Sequence, residues 1–249
     1  MIDNNSRILL SEMKMDRLVD VLESQDSVPE MLSLSFDERL QFAISEYYAI
    51  RNQEKMEYLA KKAGFKYPKA STNGVDCLSE RKLDKSLIAN LATCTFIEHA
   101  TDVAIFGTTG SGKTFLACAI GNAACRRGKT TRFCRMQDLL LDYDCLDSPV
   151  QRKKFLKKLS RIDLLIIDEW LADSLTEVQL SFLYELVEKR NEQHSTIFCG
   201  QFAPKDWYAR LGASNKTESI VNRILSGLCK VDCGSYNMRE HFSSSKLII

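Results

Sequence analysis

Leu164-Leu165-Ile166-Ile167 is a run of four apolar residues with polar neighbours on both sides. A run that is apolar at every position predicts a strand covered on both faces, as in a parallel sheet. Val103-Ala104-Ile105-Phe106, Thr130 to Cys134, Ser195 to Cys199 and Lys230 to Cys233 read as further strands. Between them the apolar spacing becomes helical. Helices are predicted from Phe115 to about Gly128, over Gln137 to Leu146, and from Ser148-Pro149, with Ser as N-cap and Pro in the first turn. Ser174-Leu175-Thr176-Glu177 reads as a capping box opening a helix to about Glu192, and Pro204 to Leu211 and Glu218 to Leu228 read as two more. Strands alternating with helices predict an α/β fold, a mostly parallel, doubly wound sheet flanked by helices.

The first hundred residues carry a different pattern, helical and polar. Ser11 to Leu22 places Met15, Leu18, Val19 and Leu22 at helical spacing. Ser35-Phe36-Asp37-Glu38 is a capping box that starts a long helix towards Ala63, and Gly64 supplies its stop. Lys66 to Asn73 reads as a connection, and Ser86 to His99 as a helix leading into the alternating region. The expected organisation is a helical N-terminal domain over residues 1–65, a linker over 66–85 and a nucleotide-binding core over 86–249, with no internal repeat.

Composition narrows the class. The chain has 249 residues, a formal net charge of +1 and 45% hydrophobic content, enough for one large α/β domain and a smaller appendage. No eighteen-residue apolar run is present, which argues against a membrane span. Nine cysteines are scattered without a C-x-x-C pair, which argues against a disulfide framework or a zinc site and predicts a reducing cytoplasm. His99, His194 and His241 are isolated and read as surface or capping residues.

The candidate chemistry sits between the first strand and the helix after it. Gly107-Thr108-Thr109-Gly110-Ser111-Gly112-Lys113-Thr114 fits G-x-x-x-x-G-K-[ST], the loop that cradles phosphates. Glycines let successive N–H groups turn inward, and the helix beginning there adds its positive end. Lys113 is placed to reach the β- and γ-phosphates of ATP, and the Thr114 hydroxyl to ligate Mg²⁺. Some fifty residues on, Asp168-Glu169 ends the Leu164 strand, where open α/β sheets bind ligands. Asp168 is the natural Mg²⁺ partner, directly or through water. Glu169 is placed to orient and deprotonate an attacking water. No N-K-x-D segment follows, which excludes a signalling GTPase, and a small-molecule kinase has no use for a water-activating Glu.

Charge is unevenly distributed. Up to Glu57 the chain is acid-rich, and from Lys61 through Lys62, Lys66, Lys69, Arg81, Lys82 and Lys85 it is basic. Arg152, Lys153, Lys154, Lys157, Lys158 and Arg161 crowd one short helix whose apolar side is Phe155, Leu156 and Leu159. Arg126, Arg127, Lys129, Arg132 and Arg135 lie nearby in sequence. Two readings stand for the crowded helix: a solvated amphipathic face, or a sequence-tolerant DNA contact in which cations displace counterions from phosphates.

Several segments carry a family likeness. Leu34-Ser35-Phe36-Asp37-Glu38-Arg39-Leu40, Leu83-Asp84-Lys85 followed by Leu91-Ala92, Ser195-Thr196-Ile197-Phe198 with Trp207, and Gly234-Ser235-Tyr236-Asn237-Met238-Arg239, together with the phosphate loop, resemble the IstB-like transposition helper ATPases. These are relatives of the DnaC and DnaA branch of AAA+ proteins, and the likeness covers nearly the whole chain. It implies an AAA+-type P-loop ATPase, Mg²⁺-dependent, that assembles as a homo-oligomer on duplex DNA with ATP and recruits or regulates a cognate transposase. It also implies roles for three more residues. Gln201 stands where the family has a polar sensor, commonly Asn, which would hold the lytic water or the γ-phosphate. Arg223 matches an arginine that reaches the neighbouring subunit's nucleotide, although Asn222 precedes it here where the family has Asp. Arg239 either contacts nucleotide or completes the fold. The resemblance also favours the DNA reading of the basic helix. A DnaC-type helicase loader and an ATP-gated DNA scaffold with negligible turnover are the alternatives.

Overall fold

The computed structural model describes residues 2–77, 81 and 83–245, and the side chains of all of these except 242–245. Lys82 of the basic run lies outside the described residues. The chain divides into two compact units, Met1–Tyr58 and Leu59–Ile249.

The N-terminal unit is helical: α1 (Asn4–Glu12), α2 (Asp16–Gln25), the single turn α3 (Pro29–Leu32) and the start of α4 (Phe36–Ala63). The helix expected over Ser11 to Leu22 is instead two helices. Asp3 caps α1 by accepting from the N–H groups of Asn5 and Ser6, and the chain turns at Lys14 with φ +58° before α2 begins. The capping box of α4 forms: the Ser35 N–H donates to the Glu38 carboxylate at 2.8 Å, and the Glu38 N–H to Ser35 Oγ at 3.4 Å. Val19, Val21 and Ala43 are buried, and the buried Gln25 amide donates to the Arg39 carbonyl at 2.9 Å. Phe36 is 76% exposed and Tyr48 69% exposed, so this unit keeps large apolar side chains at its surface.

The larger unit begins at the end of α4, which Gly64 closes at φ +72°. Then come α5 (Lys85–Thr93), α6 (Thr95–Glu98), β1 (Val103–Phe106), α7 (Lys113–Arg126), β2 (Thr131–Arg135), α8 (Met136–Asp144), α9 (Pro149–Ser160), β3 (Leu164–Asp168), α10 (Glu177–Arg190), β4 (Ser195–Gly200), α11 (Trp207–Leu211), α12 (Asn215–Leu225), β5 (Cys229–Asp232) and α13 (Met238–Ser245). Three local expectations need correction. The Ser86–His99 helix is interrupted at Cys94, which takes φ +60° and separates α5 from α6. The capping box of α10 is Thr176 with Gln179, one polar pair further along than Ser174 with Glu177. The helix expected from Glu218 starts earlier, at Asn215, because Ser214 accepts from the Thr217 N–H.

Among the described residues the five strands form one parallel sheet in the order β2-β3-β4-β1-β5. Each strand sends alternate side chains to opposite faces, so the sheet divides two cores. Val103, Ile105, Leu164 and Ile166 meet Leu116, Ala117 and Ile120 of α7 on one face. Ala104, Leu165 and Ile167 meet residues of α8 to α12 on the other. Each fully buried Leu or Ile contributes about 1.5–3 kcal/mol relative to exposure. The segment read as a linker is packed into the first core. Ala70 and Leu83 of that segment are buried there beside Phe65, and Asn122 of α7 donates to the carbonyls of Pro68 and Ala70 at 3.1 and 2.9 Å. Gly121 makes this packing possible. A methyl there would collide with the Phe65 ring and sit 2.8 Å from the Ile166 methyl.

A second buried network lies at the start of β4. The Arg190 guanidinium donates to the carbonyls of Leu159, Ile162 and Ser195 and to the Thr196 hydroxyl. The Thr196 N–H donates to Asp102 at 2.6 Å. Desolvation pushes the Asp102 carboxyl up to about 7, against the pull of that hydrogen bond and of Arg190. The folded protein therefore holds a proton that the unfolded chain releases near 3.8, and stability is lost as pH rises from that value through about 7. Asp102→Asn keeps an acceptor for the Thr196 N–H without that titration. Denaturation at a series of pH values will show the variant gaining on the wild type as pH rises from 3.8 to about 7, and no further gain above that. A stability difference that does not change with pH would refute this.

Candidate functional site

The C-terminal ends of β1, β3 and β4 converge on a cavity of about 510 Å³, well within the range for small-molecule sites. The phosphate loop follows β1 directly. Gly112 takes φ +88° and precedes Lys113, the first residue of α7, and no side chain caps that helix. The first-turn N–H groups of a fourteen-residue helix are thus left for another acceptor. A side chain at Gly107 would meet the Gly234 carbonyl at 2.7 Å and Ser111 Oγ at 3.0 Å, and φ there is +146°. The C-terminal segment clasps the loop: the Thr108 N–H donates to the Gly234 carbonyl at 3.1 Å, and the Met238 N–H to the Gly110 carbonyl at 3.0 Å.

Lys113 Nζ donates to the Gly107 and Thr108 carbonyls at 2.9 and 2.7 Å, which curls the ammonium back over the loop. Burial lowers its pKa, and the buried thiols and Asp168 around it oppose that shift. The Thr114 hydroxyl lies 3.2 and 2.9 Å from the two Asp168 carboxylate oxygens. Asp168 is 3% exposed. This places a hydroxyl and a carboxylate side by side at the mouth of the helix.

Glu169 follows at φ +58°, a left-handed conformation uncommon outside glycine, and its carboxylate is exposed. Positions of this kind carry backbone strain that the surroundings must hold. Here the Trp170 N–H donates to the Cys199 carbonyl at 2.7 Å, and the Trp170 ring packs against Phe198 and Trp207. Gly200 allows the approach, since a methyl there would lie 2.8 Å from the Trp170 carbonyl. Arg135, at the end of β2, reaches the Glu169 carboxylate at 3.9 Å while gripping Asp138.

Gln201, immediately after β4, and Arg239, in the first turn of α13, both line the cavity. Of the phosphate loop, Thr109, Gly110, Gly112, Lys113 and Thr114 also line it. Gly107 and Thr108 lie at the base of the loop under Lys113, and Ser111 is fully buried within it. Arg223 is absent from the cavity wall. It pairs with Glu188 of α10 and lies over the Tyr184 ring at 5.7 Å. On α9, Lys153, Lys154, Lys157 and Lys158 are exposed, whereas Arg152 turns back to donate to the Leu146 carbonyl at 3.1 Å and to cover Tyr143. Four lysines thus face outward and one arginine faces its own fold.

Several cavity residues carry no sequence signal of their own. Tyr67 and Phe115 pair at 5.9 Å between ring centroids beside Val75 and Asp76, and Trp170 and Phe202 line the wall near β3 and β4. Arg81 stood out only as one member of a basic run. Among the described residues, the buried side-chain nitrogen and oxygen atoms without a hydrogen-bond partner are Arg81 Nε, Ser111 Oγ and Trp170 Nε1. Arg81 and Trp170 line the cavity, and Ser111 belongs to the loop.

A parallel sheet whose first strand runs through a phosphate loop into a helix, with a carboxylate pair closing the strand one removed from it, defines the class: a P-loop fold of the kind found in AAA+ proteins. The chain belongs to the IstB-like ATP-binding proteins, whose family pattern matches residues 8–245. An ATP-binding protein of insertion sequence IS1162 from Pseudomonas fluorescens is 34% identical over 77% of this chain and 83% of its own length. One from insertion sequence IS21 of Pseudomonas aeruginosa is 26% identical over 94% of this chain and 88% of its own. Among solved structures, the DnaC helicase loader superposes with a TM-score of 0.54 at 20% identity, covering 66% of this chain and 96% of that one. Replication initiator DnaA bound to AMPPCP and single-stranded DNA gives 0.58 at 19% identity, covering 72% and 55%. At these identities the two structures establish the fold alone. Among the described residues no helix is long and apolar enough to cross a membrane.

Proposed function

We propose that the protein is an ATP-dependent DNA-binding helper of transposition: it binds ATP in the cavity at the end of β1, hydrolyses it, assembles on duplex DNA and recruits or regulates a transposase. The observation that carries the catalytic half is that Lys113, Thr114, Asp168 and Glu169 line one cavity at the C-terminal ends of β1 and β3, with the Thr114 hydroxyl against the Asp168 carboxylate. The DNA and transposase half draws on the insertion-sequence relatives and on the exposed lysines of α9.

The residues present fit a Mg²⁺–triphosphate. The Thr114 hydroxyl and the Asp168 carboxylate, within 3.2 Å of each other, are hard oxygen donors of the kind Mg²⁺ takes while keeping several waters. Uncapped N–H groups, a partly desolvated ammonium and orphaned buried donors make an environment that lacks an anion. Bound there, Mg²⁺ would neutralise phosphate charge. The rest falls to the chain. Lys113 leaves the two loop carbonyls and follows the phosphates. Asp168 keeps the Thr114 side chain oriented. Glu169, exposed at the cavity rim, accepts the proton of an attacking water, and Gln201 hydrogen-bonds that water or the terminal phosphate. Arg135 sets the direction of the Glu169 carboxylate. Arg239 adds positive charge from the C-terminal segment.

Arg223 pairs with Glu188 and lies outside its own cavity wall, and the family resemblance gives it a neighbouring subunit's nucleotide to serve. This is the reason for proposing a homo-oligomer. Lys153, Lys154, Lys157 and Lys158 are the proposed DNA contacts on α9, and Arg152 is a holding residue for that helix. The 34% identical insertion-sequence relative favours transposition over helicase loading, for which the likeness to a loader extends to fold alone. Sizing the protein with and without ATP, Mg²⁺ and duplex DNA tests the assembly. We expect a large species only with all three present, lost when the four α9 lysines become glutamine. A monomer under every condition would overturn it.

A further inference from the structure

Arg81 is 3% exposed, yet it comes from a stretch that composition marks as a polar, basic connection. Its guanidinium donates to the Asp76 carbonyl and, at 2.7 Å, to the Ser111 carbonyl of the phosphate loop. Nε has no partner. Among the described residues no carboxylate forms a salt bridge with it. The group also lies against the loop itself, since a methyl on Gly112 would sit 2.9 Å from Nη2. Its own carbonyl faces Gly234, and its charge is felt by the buried Cys233 thiol. One side chain therefore joins the segment before α5, the phosphate loop and the C-terminal clasp, and part of it reaches the cavity wall.

Two physical consequences follow. The Ser111 carbonyl and the Gly112 N–H belong to one planar trans peptide and point in opposite directions. Holding the carbonyl from outside fixes the N–H towards the inside of the loop, where phosphates are cradled. In addition, among the described residues this buried cation meets carbonyls and the Cys233 thiol but pairs with no carboxylate, and such a charge is costly until an anion comes near. We propose that Arg81 is a positioning residue of the nucleotide site: it aims the Ser111–Gly112 peptide of the phosphate loop and lends its buried charge to the triphosphate from behind the loop. The proposal rests on the reading of this cavity as an ATP site and adds to it a third cation beside Lys113 and Arg239, one that ties the Asp76 carbonyl to the phosphate loop.

The test uses the full-length protein, with Arg81→Met removing charge and donors at similar volume and Arg81→Lys keeping charge with a different donor geometry. Calorimetry gives affinities for Mg-ATP and for adenosine, and thermal denaturation gives stability without nucleotide. We expect Arg81→Met to weaken Mg-ATP roughly tenfold or more, the scale of one charge-assisted contact. Adenosine should bind as in the wild type, Arg81→Lys should recover part of the triphosphate affinity, and stability without nucleotide should change little. A purely structural peg would instead lower thermal stability without nucleotide, weaken ATP and adenosine alike and gain nothing from lysine, and that pattern would overturn the inference. Unchanged Mg-ATP affinity in a well-folded Arg81→Met would overturn it equally. Wild-type protein that ignores Mg-ATP would overturn the site reading first and this inference with it, so the two failures are told apart by the wild-type titration.

Discussion

Glu169→Gln is expected to bind Mg-ATP as tightly as the wild type and to lose turnover by about 10²–10⁴-fold, the usual contribution of a positioned general base. Glutamine has nearly the same volume and hydrogen-bonds in the same place, but its amide accepts no proton at neutral pH. Its carboxylate lies exposed at the rim, outside the Thr114–Asp168 contact, so the substitution leaves binding intact. The backbone at φ +58° is held by Trp170 and Gly200 and tolerates either side chain. The variant should therefore stall in the ATP-bound form, and if ATP drives assembly on DNA, the assembled species should persist. Phosphate release and sizing measured together check both halves. Turnover within a few-fold of wild type would remove Glu169 from the reaction and leave the site a binding pocket.

Lys113→Ala is expected to act earlier, on binding. The ammonium is half-buried in a loop with no carboxylate hydrogen-bonded to it, only the carbonyls of Gly107 and Thr108. Desolvation already disfavours its charged form. A triphosphate supplies the missing negative charge, so the ligand restores what burial removed. Truncating one member of such a desolvated charge pair typically costs about 2–5 kcal/mol, which is roughly thirtyfold to a few thousandfold in affinity. Because the ammonium's bonds are to two loop carbonyls that can be re-satisfied by water at the open cavity, melting without nucleotide should change little. The ATP-dependent rise in melting temperature should disappear. A variant that still gains stability from ATP would show that the phosphates lie elsewhere.

Much of this architecture was legible along the chain, for identifiable reasons. A strand buried on both faces must be apolar at every position, and β3 is, so Leu164 to Ile167 announced a parallel sheet. A phosphate loop needs glycine where backbone curls and a lysine at a fixed offset, so Gly107 to Thr114 could be read as letters. Errors fell where a local pattern allowed two answers. Ser174 with Glu177 and Thr176 with Gln179 are both adequate capping pairs, and the folded protein uses the second. Cys94 carries nothing in its side chain that predicts a left-handed turn, so one helix was read where α5 and α6 stand.

Arg81, Asp102, Arg190 and the Tyr67–Phe115 pair were out of reach for a different reason. Each acquires its meaning from partners far away in sequence: Arg81 from Ser111 and Asp102 from Thr196. A residue's burial and its charge environment depend on which segments fold against it, and no local periodicity encodes that. Arg223 shows the limit most sharply, since its pairing with Glu188 and its place outside the cavity wall depend on α10 and α12 meeting.

By itself the sequence determined the strand–loop–helix unit, the carboxylate pair at the end of β3 and the alternation that makes the sheet parallel, because these depend on neighbours a few residues apart. Tertiary structure alone decided which cation stands behind the phosphate loop, which carboxyl keeps a proton near neutrality and which basic residues of α9 face outward, because desolvation and long-range contact exist only once distant segments have met.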